Sequence, residues 1–132
     1  MFLDTNIFIY ALENTGPLGV KAQELFLEIK SHKLHAFTSV LTVHEILTGT
    51  FKRNLEEKTP LYLQFLSGGG LIKIFDISTE TAILSAKIRA QYGFKTPDCI
   101  QLAVATEHHA KVFLTHDRHL GTKVGEMVIK SL

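Results

Sequence analysis

Apolar positions in this chain come in short runs separated by polar and glycine-bearing stretches, and two kinds of spacing alternate along it. From Leu18 to Lys33, the residues Leu18, Ala22, Leu25, Phe26 and Ile29 fall on one stripe, the spacing of an amphipathic helix. Met1 to Leu3 is an apolar stub that reads as the end of a strand, and Asp4-Thr5-Asn6 behind it supplies helix-capping chemistry. With only three residues before Asp4, that strand reads as a frayed or trimmed edge. Ala36 to Val40 predicts a strand, followed by a helix from about Leu41 to Phe51, and Glu56 to Leu66 predicts another helix. Leu71 to Ile77, rich in Ile and Phe, predicts a strand. Ser78 then caps a helix towards Gln91, and Tyr92-Gly93 ends it. Thr96 as a cap and Pro97 at the first helical position open a helix to about His109. Lys111 to Thr115 and Met127 to Ile129 read as the last strands. Glycine and proline mark loops at Asn14 to Pro17 and Ser67 to Gly70.

Strands thus alternate with helices, and each strand is a continuous apolar run. A strand exposed on one face would alternate polar and apolar residues. The pattern therefore predicts an α/β fold, a sandwich whose parallel sheet is covered on both faces. Sheets of this kind bind ligands beyond the carboxyl ends of their strands. Polar side chains at those ends are the ones to weigh.

Composition narrows the class without naming a chemistry. A chain of 132 residues, 45% hydrophobic and 20% charged, fits one soluble globular domain over 1–132. No apolar run approaches the roughly 20 residues that cross a bilayer, and the N-terminus lacks the basic region of a signal peptide. Cys99 is the single cysteine, which excludes an intramolecular disulfide and a multi-cysteine metal site, and suits a reducing cytoplasm. The formal net charge is +1, no electrostatic footprint for nucleic acid; Lys52-Arg53 is a local basic cluster that a solvated face explains as well.

Four acids are candidates for chemistry. Asp4 follows the first strand; a helix cap would explain it, but three successive capping residues are more than one cap needs. Glu45 faces away from the stripe of Val40, Val43, Ile46 and Leu47, which by itself favours an ordinary exposed glutamate, although a cleft wall is also a face turned from the core. Asp98 opens a helix that is apolar almost all round through Cys99, Ile100, Leu102, Ala103, Val104 and Ala105. First-turn acids favour the helix dipole, yet a buried helix also carries this one to the sheet edge. Asp117 ends KVFLTHD and projects from the carboxyl edge, unless it only shapes a turn. Asp76 also ends a strand and reads as the start of the next helix. Hard cations such as Mg²⁺ and Mn²⁺ take oxygen ligands of this kind, and a pair of them can promote phosphodiester hydrolysis.

The blocks LDTNIFIYAL, SVLTVHEILTG, TPDCIQLAVA and FLTHD, in that order, resemble the PIN domain family, and the small size resembles its VapC-type toxins. The resemblance spans nearly the whole chain. It implies a three-layer sandwich around a parallel five-stranded sheet and a Mg²⁺- or Mn²⁺-dependent endoribonuclease acting on single-stranded RNA. It also implies the toxin role in a toxin–antitoxin pair, with a cognate antitoxin as partner, and a homodimer. Carried over block by block, Asp4, Glu45, Asp98 and Asp117 are the catalytic and metal-binding acids, and Asn6 and Thr115 orient them. His116 stands where the family often has asparagine, a departure that bears on the support of Asp117.

Other readings fit less well. A receiver-type phosphoacceptor domain wants an acidic pair after its first strand, and here Thr5-Asn6 follows Asp4. A phosphatase of the haloacid dehalogenase type wants a second aspartate where Asn6 stands. The alternative that survives is a non-catalytic PIN-like scaffold that binds RNA or protein. His116 with His119 and His32 with His35 lack cysteine partners and read as surface or packing residues. Phe26, Phe65 and Phe75 read as core, whereas Phe51 and Tyr62 fit either dimerisation or a partner groove.

Overall fold

The computed structural model describes residues 1–13 and 15–132; Asn14 of the expected Asn14–Pro17 loop lies outside them. In chain order the elements are β1 (Phe2–Leu3), α1 (Thr5–Glu13), α2 (Pro17–Lys30), β2 (Ala36–Ser39), α3 (Val40–Lys52), α4 (Thr59–Leu66), β3 (Ile72–Phe75), α5 (Thr79–Tyr92), α6 (Thr96–Glu107), β4 (Val112–Leu114), β5 (Lys123–Val124) and β6 (Met127–Lys130). The strands form one sheet in the order β3-β2-β1-β4-β6-β5. All neighbours are parallel except β5, which runs antiparallel to β6 at the edge. The expected parallel strands are present, and the two-residue β5 is an addition too short to leave a pattern in the sequence.

Consecutive side chains of a strand point to opposite faces, so β1 and β4 each divide their apolar residues between two cores. Phe2 and Phe113 join Leu102, Val104 and Ile88 of α5 and α6 on one face. Leu3 and Leu114 join Ile7, Phe8, Ile29, Ile46 and Leu66 of α1 to α4 on the other. This is the three-layer sandwich. It explains why the central strands β1 and β4 are apolar throughout, whereas β3 and β6 nearer the edges carry the exposed Lys73 and Lys130.

The opening strand is the largest correction. β1 is no edge; it pairs with β2 on one side and β4 on the other, and both its residues are 0% exposed. The Phe2 ring lies parallel to that of Phe113 at 5.0 Å and edge-on to Phe37 at 5.7 Å. Burial, not length, gives this strand its place.

Helix boundaries shift for local reasons. α2 begins on Pro17, whose fixed φ suits a first turn, and stops at Lys30, before His32 turns to φ 58°. The helix expected over Glu56–Leu66 divides into a short 3₁₀ turn, Glu56–Lys58, and α4, with Pro60 in the first turn of α4. Ser78 caps α5 as expected, in a reciprocal capping box with Thr81, and Gly93 ends it at φ 73°. At α6 the cap position falls on Lys95, not Thr96, and no side chain caps it. No helix among the described residues is long and apolar enough to cross a membrane.

The position of Phe2 yields a direct test. Phe2→Ala should destabilise the protein by about 3–5 kcal/mol, the usual cost of emptying an aromatic core site, measured by urea denaturation. A loss below about 1 kcal/mol would show that β1 is the dispensable edge its length suggests.

Candidate active site

The sheet order places a topological switch beside β1. From β1 the chain builds outward through β2 to β3, then returns to lay β4 on the opposite flank of β1. The two connections diverge there, leaving a crevice beyond the carboxyl ends of β1 and β4 where ligands of open α/β sheets bind. Asp4 and Asp117 follow those two strands. Glu45 comes from α3 and Asp98 from the first turn of α6. All four, with Thr5, Asn6, Ile9, Pro97 and Gln101, line one cleft of about 180 Å³. That is space for several waters at roughly 30 Å³ each. Asp76 is exposed and lies outside it.

Asp4 is buried, and every polar neighbour serves to hold it. Its Oδ1 accepts from Thr5 N at 2.8 Å, and its Oδ2 accepts from Thr115 Oγ1 at 2.6 Å and from Asn6 Nδ2 at 3.1 Å. A helix cap would accept from the second or third helical amide instead, so the capping explanation of Asp4 does not describe its bonds. Asn6 Nδ2 also donates to Thr115 Oγ1 at 2.9 Å, and Asn6 Oδ1 accepts from His116 N at 3.1 Å. Asn6 and Thr115 thus tie the end of β1 to the segment that follows β4. Asp117 N donates to Thr115 Oγ1 at 3.0 Å, while Asp117 Oδ1 accepts from His119 N at 2.8 Å and caps a 3₁₀ turn. For that oxygen the turn-forming explanation holds. Position 116 contributes its backbone amide to Asn6, and its ring meets Ser131 Oγ at 2.9 Å, so Asp117 is held by Thr115 and the His119 amide and not by the His116 side chain.

A second layer of polar residues lies beneath, and the sequence analysis did not single it out. Gln101, 1% exposed, accepts from Ser39 Oγ and donates to Thr42 Oγ1 at 2.9 Å and Thr5 Oγ1 at 3.3 Å. Thr38 Oγ1 donates to Leu3 O at 2.9 Å and lies 2.8 Å from Thr42 Oγ1. These bonds lock α6 and α3 to the ends of β1 and β2, and so set the spacing of Asp98 and Glu45 from Asp4. The available signal was a lone glutamine among the apolar residues of α6. No buried side-chain nitrogen or oxygen among the described residues lacks a partner.

The cleft disfavours negative charge. Burial raises the Asp4 pKa above the usual carboxylate value, against the Thr115 and Thr5 hydrogen bonds, and the Asp98 and Asp117 charges raise it further. Glu45 counts as exposed over its whole length, yet its carboxyl is raised by lost hydration first and by Asp4 second, while a Thr5 hydrogen bond opposes the shift. Asp98, half-buried, is raised by lost hydration and then by Asp117, with Lys95 and His119 offsetting part of the rise. An all-oxygen donor set with this surplus of negative charge fits a hard divalent cation. Among the described residues no three His, Cys, Asp or Glu side chains already close around one point.

A hollow of about 580 Å³, larger than the acid cleft, lies elsewhere, between α2 and α4. Phe26, Leu27, Ile29, Leu61 and Leu71 line it, and no acid, histidine or cysteine does. Size does not mark the site here; chemistry does.

A three-layer α/β protein with carboxylates gathered at the switch point of its sheet is the class so defined. The PIN domain model matches residues 1–124, and the chain belongs to that family. Solved structures agree in fold. A chain of a toxin–antitoxin complex from Klebsiella pneumoniae is 27% identical, with 89% of this chain and 86% of that one covered and a TM-score of 0.66. VapBC2 from Rickettsia felis, bound to a DNA fragment from their promoter, matches at TM-score 0.75 and 17% identity over 98% of this chain and 96% of that one. DNA-bound VapBC from Salmonella typhimurium matches at 0.74 and 20% over the same shares. A sequence comparison with curated proteins finds no match.

Electrostatic crowding makes a prediction that capping would reverse. A carboxyl whose folded pKa is raised keeps its proton longer in the folded chain, so stability falls as pH rises from the ordinary value through the raised one. Asp98→Asn should therefore melt a few degrees above wild type in EDTA at neutral pH, with the gap closing as pH falls into the carboxylate range. Mn²⁺ should stabilise wild type by roughly 2.7 kcal/mol at a hundred times its dissociation constant, and the variant far less. A variant that melts lower in EDTA and responds fully to Mn²⁺ would show Asp98 to be a structural first-turn acid.

Proposed function

We infer that this protein is a Mg²⁺- or Mn²⁺-dependent endoribonuclease that hydrolyses phosphodiester bonds of single-stranded RNA, acting as the toxin of a toxin–antitoxin pair. The observation that carries this reading is the convergence of Asp4, Glu45, Asp98 and Asp117 from four separate elements on one cleft of a PIN domain. A non-catalytic scaffold has no use for desolvating three carboxylates against one another.

In this reading Asp4 is the fixed ligand, since Thr115, Asn6 and Thr5 leave it one orientation. Asp98 and Glu45 line the same cleft, and Asp117 offers its oxygen not engaged by His119. A bound divalent cation would supply Lewis acidity at the phosphate and a water activated for attack. The protein's own part is to hold the oxygens in place, exclude bulk water from the Asp4 side and set the phosphate against them. Lys95 and His119 beside Asp98 offset part of the rise in its pKa that burial and Asp117 cause.

The antitoxin role of the partner is supported by the similar chain from Klebsiella pneumoniae, which comes from a toxin–antitoxin complex. Self-association, expected from the family, would draw on the exposed Phe51, Leu61 and Leu63 of α3 and α4; light scattering reads it directly.

Incubation of a labelled single-stranded RNA with the protein should give cleavage in Mn²⁺ or Mg²⁺ and none in excess EDTA. Asp98→Asn should lower the rate about a hundredfold or more, the scale of removing one group that stabilises a transition state. Full activity in EDTA, or an Asp98→Asn variant as fast as wild type, would refute the mechanism. Intact RNA under every metal condition would favour the non-catalytic scaffold.

A further inference from the structure

Two further hollows share lining residues with the acid cleft, and each carries basic side chains. On one side a hollow of about 370 Å³ between α1, α3 and α4 shares Ile9 and Glu45 with the acid cleft, and Lys52, Arg53 and Tyr62 line it. On the other, a hollow of about 280 Å³ shares Asp117 and carries His116, Arg118 and Lys130. A net charge of +1 hides this arrangement, because it sums over the whole surface and not along one path. An extended polyanion crossing the carboxylates would meet cations before and after them.

Arg53 is the best placed of these. Its Nε donates to Gly49 O at 3.1 Å, which fixes the guanidinium at the end of α3, and its Nη2 lies 2.7 Å from Glu13 Oε1. Both partners are close to half-exposed, and ion pairs of that kind contribute little to stability. Arg53 can therefore leave Glu13 for a phosphate at small cost, and its planar fork suits phosphate oxygens.

We propose that Arg53, with Lys52, binds backbone phosphates of the RNA strand on the Glu45 side of the scissile bond, and that Glu13 competes for Arg53 and weakens that grip. Arg53 is a positioning residue: it holds the strand in register across the acids and takes no part in the chemical step. This rests on the ribonuclease reading above and adds the path of the substrate to it. The strand continues over Asp117 towards Arg118 and Lys130.

The sign of two single substitutions tests it. Steady-state cleavage of a fluorescent single-stranded oligoribonucleotide in Mg²⁺ is measured for wild type, Arg53→Ala, Arg53→Lys, Lys52→Ala with Arg53→Ala, and Glu13→Gln, each checked for folding by its melting temperature. Arg53→Ala should raise KM severalfold and the double variant about tenfold, with kcat within twofold, and Arg53→Lys should recover part of the loss. The dependence of log KM on log salt should flatten by roughly 0.7 per phosphate contact removed. Glu13→Gln should move KM the other way, to lower values. A merely structural ion pair predicts the same change for both partners, and KM values unchanged or shifted in the same direction would overturn the assignment while leaving the ribonuclease reading intact. Absence of cleavage by wild type itself would remove the ribonuclease reading, and this assignment with it.

Discussion

One hydroxyl ties together the segments that follow β1 and β4. Thr115 Oγ1 donates to Asp4 Oδ2 and accepts from Asn6 Nδ2 and Asp117 N, which uses its single proton and both lone pairs. Those bonds span the gap between the ends of β1 and β4, the place where the winding of the sheet reverses. The sheet alone would hold the two strands side by side but leave the segments beyond them free to turn. The Thr115 bonds fix both segments, and with them the directions of Asp4 and Asp117. The arrangement also draws a buried carboxylate into a position that lost hydration disfavours, so the rest of the fold has to be stable enough to hold it there.

The two cores supply that stability. Aromatic packing of Phe2 on Phe113 and Phe37 anchors the α5–α6 face, and Leu3, Phe8 and Leu66 anchor the opposite one. Between the apolar cores and the acids lies the fully paired layer of Gln101, Thr42, Thr38 and Ser39, which carries the positions of the strands out to the two helices that bear Glu45 and Asp98. Function and fold therefore meet in this layer. It is rigid because its polar atoms are satisfied, and the acids above it are strained because their charges are not. A divalent cation is the species that would relieve the second without disturbing the first.

Much of this was legible in the residues. Continuous apolar strands alternating with amphipathic helices identify a parallel sheet buried on both faces, and strand-end aspartates point to its carboxyl edge. Asp4 and Asp117 could be placed there from their neighbours alone. Glu45 and Asp98 could not, because periodicity places each on its own helix without saying which cleft that helix borders. Their place came from the family resemblance, and the structure puts both in the same cleft as Asp4. The centrality of β1 was hidden because two residues carry no period; its rank depends on pairing partners more than thirty and a hundred residues away, Phe37 and Phe113. Gln101 was passed over because it sits among core residues and its partners come from three other elements. The bond that residue 116 gives Asn6 leaves no mark in the sequence, because it comes from the backbone.

The central claim is that the Thr115 bonds present Asp4, with its neighbouring acids, as a ligand for a hard divalent cation. Titration of free Mn²⁺ by electron paramagnetic resonance in the presence of the protein tests it most directly. Wild type should take up Mn²⁺ saturably, with Mg²⁺ in excess displacing it. Thr115→Val, which keeps the shape and removes the hydroxyl, should weaken that uptake by roughly 10- to 100-fold, as loss of a ligand-orienting bond does. Asp4→Asn should abolish it. Equal Mn²⁺ uptake by wild type, Thr115→Val and Asp4→Asn would contradict the account.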